Sequence, residues 1–307
     1  MEACRRDVLK KSLSKILTRY YPLSRRIKED SFIIDCNDDG VDYLETRLHN
    51  NCRPVSEFIQ HPNVHLLKQF LPFNPYSSES SSEFSFESGF NSKVFLVVQV
   101  SLFDCGGMAI GVCISHKIAD ASSLTTFIND WCHGTGPRFD DLRSLFPPRD
   151  IMGYETESKI KREEIVTKKF VFKAPKIAEL KQRSIIGCST FIWKHFIDVD
   201  QVKEGVVASA ARVYMGSHTV NMRTRIVPPL PTNSIGNMYC AAIALSIING
   251  NPENDQDKED HQYSNLVGKV RDAIRKIDSD HVRELQTIDA LLNSMKPMEE
   301  GVSSGQT

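Results

Sequence analysis

In Ser115-His116-Lys117-Ile118-Ala119-Asp120 a histidine and an aspartate stand four positions apart, directly after a run of apolar residues. A neutral imidazole, with an ordinary pKa of about 6.5, accepts protons near neutral pH. Set against a hydroxyl or amine, it can take the proton as that group attacks a thioester carbonyl. No protein nucleophile is then needed, because a thioester is already activated. Asp120 would hold the loop or the histidine in place and carry no proton. An oxyanion donor is also required, and the sequence singles out no residue for it. A plainer reading stands beside this one. Asp120 caps a helix that starts at residue 121, and His116 is a partly buried histidine at a strand end. A metal reading has less support. His61 and His65 have helical spacing, but Pro62 lies between them and no third ligand is evident, so no metal site is predicted.

The flanking elements decide how rigidly such a pair is held. Residues 93–103 and 108–115 are short, β-branched apolar runs separated by a Gly-Gly turn, which predicts a buried β-hairpin ending at His116. Leu124, Phe127, Ile128 and Trp131 then recur at helical spacing, which predicts a helix over 121–132. The histidine and aspartate thus sit at a strand-to-helix junction, where side chains project from a rigid frame.

Upstream, residues 7–20 read as an amphipathic helix ended by Tyr21-Pro22, followed by a strand at 31–36, a turn at 38–40 and a serine-rich loop at 77–92. Residues 133–150 read as a long connection. Downstream, a strand is expected at 163–174 and a helix start at 176–183. A helix at 189–196 is capped by Ser189 or Thr190. Residues 226–231 are expected to be extended because of their prolines. A buried strand at 238–248 and an acidic loop at 251–260 precede helices at 263–277 and 280–295.

The 307 residues are 40% hydrophobic and 25% charged, with a formal net charge of -1. That is enough apolar material for a core, and the charge balance does not point to nucleic acid or an anionic membrane. No apolar run is long enough for a membrane span and no export signal is evident. The eight cysteines contain no C-x-x-C pair. The expectation is therefore a cytoplasmic protein with reduced thiols and no zinc site.

FDCGGMAIGVCISHKIADASSLTTFINDW (103–131) resembles the motif region of the plant BAHD acyltransferases. In family order, so do LKKSLSKILTRYYPLSRRI (9–27), KKFVFKAPKIAELK (168–181), STFIWK (189–194), VNMRTRIVPPLPTNSIGNMY (220–239) and LVGKVRDAIRKID (266–278). The similarity covers nearly the whole chain and is nearest in flavour to the alkaloid and terpenoid acetyltransferases. It implies a two-domain, chloramphenicol-acetyltransferase-like α/β fold of mixed sheets flanked by helices. The expected division is an N-terminal domain at 1–135 carrying HxxxD, a crossover segment at 136–162 and a partial C-terminal domain at 163–307. The implied activity is transfer of an acyl group, acetyl by preference, from coenzyme A to a hydroxyl of a plant specialised metabolite. Coenzyme A would enter as co-substrate, with no bound cofactor, and the protein would act as a monomer. His116 would be the general base in a channel between the halves. Asp120 would point away and pair with an arginine, Arg223 by preference over Arg225. Asn233, Gly236 and Asn237 would lie on a strand beside the cleft. Plainer alternatives are two solvated surface arginines and a turn before a buried strand.

The sequence also departs from its family. A D-F-G tripeptide is absent, the first long helix lies close to residue 1, residues 181–189 are short, and Arg25 stands where glycine is common. These departures predict a chain truncated at both ends, with an incomplete second domain and marginal stability. They support an alternative, a catalytically weak or inactive member that only binds a ligand or partner. Condensation domains share HxxxD, but they carry a second histidine and a glycine where Ser115 and Ala121 stand here, which speaks against them.

Overall fold

The computed structural model describes residues 2–27, 34–35, 37–48, 53–72, 94–140, 142–147, 171–183, 187–203, 212–248 and 256–287. They form a mixed α/β protein in two compact units. The first takes in Met1–Asp140 and Asn233–Asn237; the second takes in Asp141–Asp150, Val171–Thr232 and Met238–Thr307. No helix among the described residues is long and apolar enough to cross a membrane.

In the first unit, α1 (Glu2–Arg19) begins earlier than its apolar spacing predicts and runs into a 3-10 turn, Tyr21–Ser24, at Pro22. A two-residue ladder pairs β1 (Arg26–Ile27) with β2 (Ile34–Asp35), the described part of the expected strand at 31–36. The main sheet has the order β3-β4-β5. Strand β3 (Asp42–Leu48), which the sequence reading missed, is parallel to β4 (Leu96–Phe103) and reaches it through α2 (Val55–Gln60) and α3 (Val64–Leu67). The predicted hairpin is present, with β4 antiparallel to β5 (Met108–Ile114). Only β4 is buried along its whole length; β5 is mostly half-exposed, because β4 takes the centre of the sheet.

Leu96, Val98, Val100 and Leu102 alternate onto one face of β4 and join Leu13, Ile16, Leu17, Tyr20 and Phe127 in the core. The opposite face meets an aromatic cluster of Phe58, Phe70 and Phe103. Helix α4 (Ala121–His133) matches the predicted span and stops at Gly134, whose φ of 70° suits a residue without Cβ. It lies on α1 through the edge-to-face pair Tyr20–Phe127 and the bond from Tyr20 Oη to Asp130 Oδ2 at 2.6 Å.

In the second unit, α5 (Leu142–Leu145) precedes α6 (Ala174–Arg183) and α7 (Gly187–Lys203). The predicted strand at 163–174 lies outside the described residues apart from its end, where Ala174 already opens α6. Helix α7 starts at Gly187, so Ser189 and Thr190 sit within it rather than at its cap. Strands β6 (Arg212–Asn221) and β7 (Tyr239–Ile248) form an antiparallel ladder. Strand β7 was expected to be buried, but Tyr239, Leu245 and Ile247 are exposed, since α8 (Gln256–Lys276) packs on the face of Ala242 and Ala244.

Residues 256–260 of the predicted acidic loop are the first turn of α8. Helix α9 (Ser279–Glu284) follows; the rest of the helix predicted over 280–295 lies outside the described residues beyond 287, as do the serine-rich loop and the C-terminal tail. The segment 226–231 is not extended. Arg225 N and Ile226 N both donate to Met222 O, Leu230 N donates to Arg223 O, and the Val227–Pro228 peptide is cis. These bonds fold the proline run into a compact loop before β7.

Candidate active site

The sequence between β5 and α4 folds into a tight turn. Ser115 N donates to Phe95 O at 2.8 Å, which ends the hairpin ladder, and Ile118 N donates back to Ser115 O at 3.1 Å. His116 is on the exposed side of this turn, while Ala119 and Asp120 are buried. A histidine in a turn held by a sheet at one end and a helix at the other has its backbone fixed, and His116 is exposed there.

Asp120 is 6% exposed and is the N-cap of α4. Its Oδ1 accepts from Ser123 N and from Ser123 Oγ, each at 2.8 Å. The plainer reading of Asp120 is therefore realised: the carboxylate satisfies one of the free N–H groups of the first turn. Capping also draws Asp120 inward and leaves His116 outside.

Ser123, missed in the sequence, completes the arrangement. Its hydroxyl is buried, lies 3.0 Å from Gly236 O, and accepts from Gly236 N at 3.1 Å. One hydroxyl carries one proton, and the charged Asp120 is the stronger acceptor for it. The Gly236 N–H then takes a lone pair of the same oxygen. The signal available was a serine three residues after a capping aspartate.

Residues 233–237 form a strap across this helix terminus. They were expected on a strand. Instead Asn233 lies in a turn and Gly236 in a bend with φ 142°, just ahead of β7, which is the plainer alternative. Asn233 Nδ2 donates to Gly136 O at 3.1 Å, Ser234 Oγ donates to Asp140 Oδ2 at 2.5 Å, and Ile235 enters the first core. Asn237 Nδ2 donates to the carbonyl of His116 at 2.6 Å. The strap thus brings Gly236 and Asn237 together with Asp120 and His116, whereas Asn233 anchors it farther along.

The two arginines lie in the second unit. Arg223 is 1% exposed, with Asn221 Oδ1 accepting from its backbone N at 3.0 Å and its Nη1 at 3.1 Å. It is not the solvated charge of the plainer reading. Arg225 is half-buried, and its Nη1 donates to Ile274 O at 2.7 Å and to Ile277 O. It serves the carbonyl end of α8, where a cation is favoured. Among the described residues no group of three or more His, Cys, Asp or Glu side chains is gathered to hold a metal.

Known proteins carry the same arrangement of chain. Stemmadenine O-acetyltransferase from Catharanthus roseus is 38% identical over 303 residues, covering 92% of this chain and 66% of its own length. Limonoid 21-O-acetyltransferase from Melia azedarach is 34% identical over 304 residues, covering 94% and 66%. The crystal structure of vinorine synthase, an enzyme found in Rauvolfia serpentina, matches with a TM-score of 0.67 at 33% identity, over 96% of this chain and 67% of that one. The chain spans about two thirds of the length of the curated relatives it matches. The two-domain, chloramphenicol-acetyltransferase-like α/β fold expected from the sequence is the fold of this protein. The model of the Transferase family matches residues 2–307, and with these relatives it shows that the chain belongs to that family, the plant BAHD acyltransferases.

Proposed function

We propose that the protein is an acyl-CoA-dependent O-acyltransferase that moves an acetyl group from coenzyme A to a hydroxyl of an alkaloid or terpenoid alcohol. The observation that carries this reading is the frame around His116. Its turn is tied through Ser115 to Phe95, the residue just before β4, its carbonyl accepts from Asn237, and the residue is exposed. The names of the relatives, an alkaloid O-acetyltransferase and a limonoid O-acetyltransferase, support the donor group and the acceptor class. His116 takes the proton of the acceptor hydroxyl as its oxygen attacks the thioester carbonyl carbon. The C–S bond then breaks, and the departing sulfur recovers the proton from the imidazolium. Asp120 and Arg223 support the site without transferring protons, Arg225 supports it through α8, and Asn233, Gly236 and Asn237 line it. The same proposal assigns 1–135 to the N-terminal acyltransferase domain, 136–162 to the crossover and 163–307 to the C-terminal domain. The protein is proposed to act as a cytoplasmic monomer.

The test is product formation read by mass spectrometry, with acetyl-CoA and a pool of alkaloid and terpenoid alcohols. Acetylated product is expected from the unaltered chain, and His116→Ala should lower its rate by about a hundredfold or more, the usual worth of a general base. A mutant that retained the rate would remove His116 from the chemistry. A folded chain that binds acetyl-CoA and acetylates no member of the pool would overturn the acceptor class.

A further inference from the structure

The strap of residues 233–237 belongs to the first unit and is fastened there at two places. Its first half is held on the chain after α4. Arg138 N donates to Asn233 O and Ile235 N donates to Arg138 O, each at 3.0 Å; Ser234 Oγ donates to Asp140 Oδ2, and Ile235 is buried in the core. Its last residue, Asn237, reaches the carbonyl of His116. Gly236 alone separates the two fastenings. It has no side chain to anchor it, and its φ of 142° lies where glycine is at ease and other residues are strained. Such a residue is a free hinge unless its peptide groups are held.

Ser123 holds them. Gly236 N donates to Ser123 Oγ at 3.1 Å, and Gly236 O lies 3.0 Å from the same oxygen. Ser123 is 1% exposed, and its own proton goes to Asp120 Oδ1 at 2.8 Å, which fixes the rotation of the hydroxyl. The helix cap does not need this hydroxyl, because Asp120 Oδ1 already accepts from the backbone N of Ser123 at 2.8 Å. The bonds therefore run in series from Asp120 through Ser123, Gly236 and Asn237 to His116 O. The flanks of the His116 turn are closed separately, by Ser115 N on Phe95 O and by Ile118 N on Ser115 O. Asn237 fixes the carbonyl between them.

We infer that Ser123 is a positioning residue for His116: its hydroxyl seats the Gly236 peptide and so aims the Asn237 amide at the His116 carbonyl. The effect on rate rests on the acyl-transfer reading; the effect on the turn does not. Ser123→Ala removes the hydroxyl and keeps the capped N–H. It is compared in the full chain with Asn237→Ala and with the double variant. Turnover is measured with acetyl-CoA and the pool of alcohols. Each single variant should lower it by about tenfold or more. The double variant should fall within about twofold of the worse single one, because both act through one bond. Amide exchange, measured by peptide mass spectrometry, reads the turn directly. Ser123→Ala should speed exchange by about tenfold in residues 234–237 and also in 115–118. Asn237→Ala should speed 115–118, and adding Ser123→Ala should speed that turn no further. Turnover losses that multiply, or exchange in 115–118 that ignores Ser123→Ala, would overturn the inference and leave Ser123 to the helix cap alone. A parent chain that forms no product overturns the acyl-transfer reading instead, and the exchange measurements still decide for or against Ser123. Should Ser123→Ala fail to fold, Ser123→Cys, which has similar size and bonds weakly, takes its place.

Discussion

Asn237 donates to the backbone carbonyl of His116, 121 residues earlier in the chain, and in the proposed function this bond aims the imidazole. Asn237→Asp keeps the size of the side chain but faces that carbonyl with a second oxygen. Turnover is expected to fall about ten- to a hundredfold, the cost of a small misplacement of a reacting group, with a melting temperature close to that of the parent. Comparing product rates and thermal melts checks this, and undiminished turnover would show that the bond does not aim the ring. Thiol chemistry is separable in the same way. The backbone N–H groups of Val55 and Gly107 lower the pKa of Cys105 in the β4–β5 turn, whereas burial pushes the Cys113 thiol on β5 up to about 11. Since the thiolate is the nucleophile, iodoacetamide at pH 8 should label Cys105 on the order of tenfold faster than Cys113. As pH rises the Cys105 rate should level off first, while the Cys113 rate keeps climbing beyond pH 10; peptide mass mapping over a pH series reads both. At this scale the pair His116 and Asp120 was legible because strand end, turn and helix start are neighbours in the chain. Ser123 was not, because its second partner, Gly236, lies 113 residues away. Nor does spacing separate Arg223 from Arg225; only the carbonyls of Ile274 and Ile277 commit Arg225 to the end of α8.

Elements that bury one continuous face announced themselves. Helix α4 repeats apolar residues every three or four positions, and β4 is apolar apart from Gln99 and Ser101 because it is buried along its whole length. Strands β3 and β6 were missed because polar residues interrupt their apolar ones, as with Asp42, Glu45, Thr46 and Arg47 in β3 and Ser217, His218 and Thr219 in β6, so that no apolar run or strict alternation shows. The start of α8 was hidden by charge, since acidic residues suit both a solvated loop and the first turn of a helix. Glycines test how tightly the elements fit. A Cβ on Gly111 of β5 would lie 1.9 Å from the carbonyl oxygen of Phe70, a backbone atom that has no side-chain rotamer to escape through. Gly111→Ala should cost about 3 kcal/mol or more. Gly268, inside α8, has open space where its Cβ would go. Gly268→Ala should stabilise by about 0.5–1 kcal/mol, the difference in helix propensity. Urea denaturation of the two variants beside the parent is expected to show shifts of opposite sign, and a shared sign would contradict the packing described here.

Each unit builds a core of its own. Leu13, Leu17, Leu96, Val98 and Phe127 belong to the first, and Val220, Ala242, Val270 and Ile277 to the second, with Ile197, Tyr214 and Leu266 as a further cluster beneath α7. Two halves were expected from the family resemblance, since chain length fits one large domain as well as two ordinary ones. That residues 233–237 leave the chain of the second unit to seat Ile235 in the first core was not legible, because a proline-rich run carries no periodicity to read. Separate cores imply separable unfolding, and the only two tryptophans of the chain are placed to report it. Trp131 lies on α4 against the first core and donates to Ser12 Oγ at 2.9 Å. Trp193 lies on α7, where a Cβ on Gly216 of β6 would come within 3.0 Å of its ring. In a Trp193→Phe background, fluorescence reports the first unit; in a Trp131→Phe background, it reports the second. Leu13→Ala should lower stability by about 2–5 kcal/mol at Trp131, while the transition at Trp193 moves by less than about 1 kcal/mol, as expected of residues that belong to separate cores. Leu266→Ala should do the reverse. Coincident transitions that shift together in both variants would mean that the two cores unfold as one cooperative body.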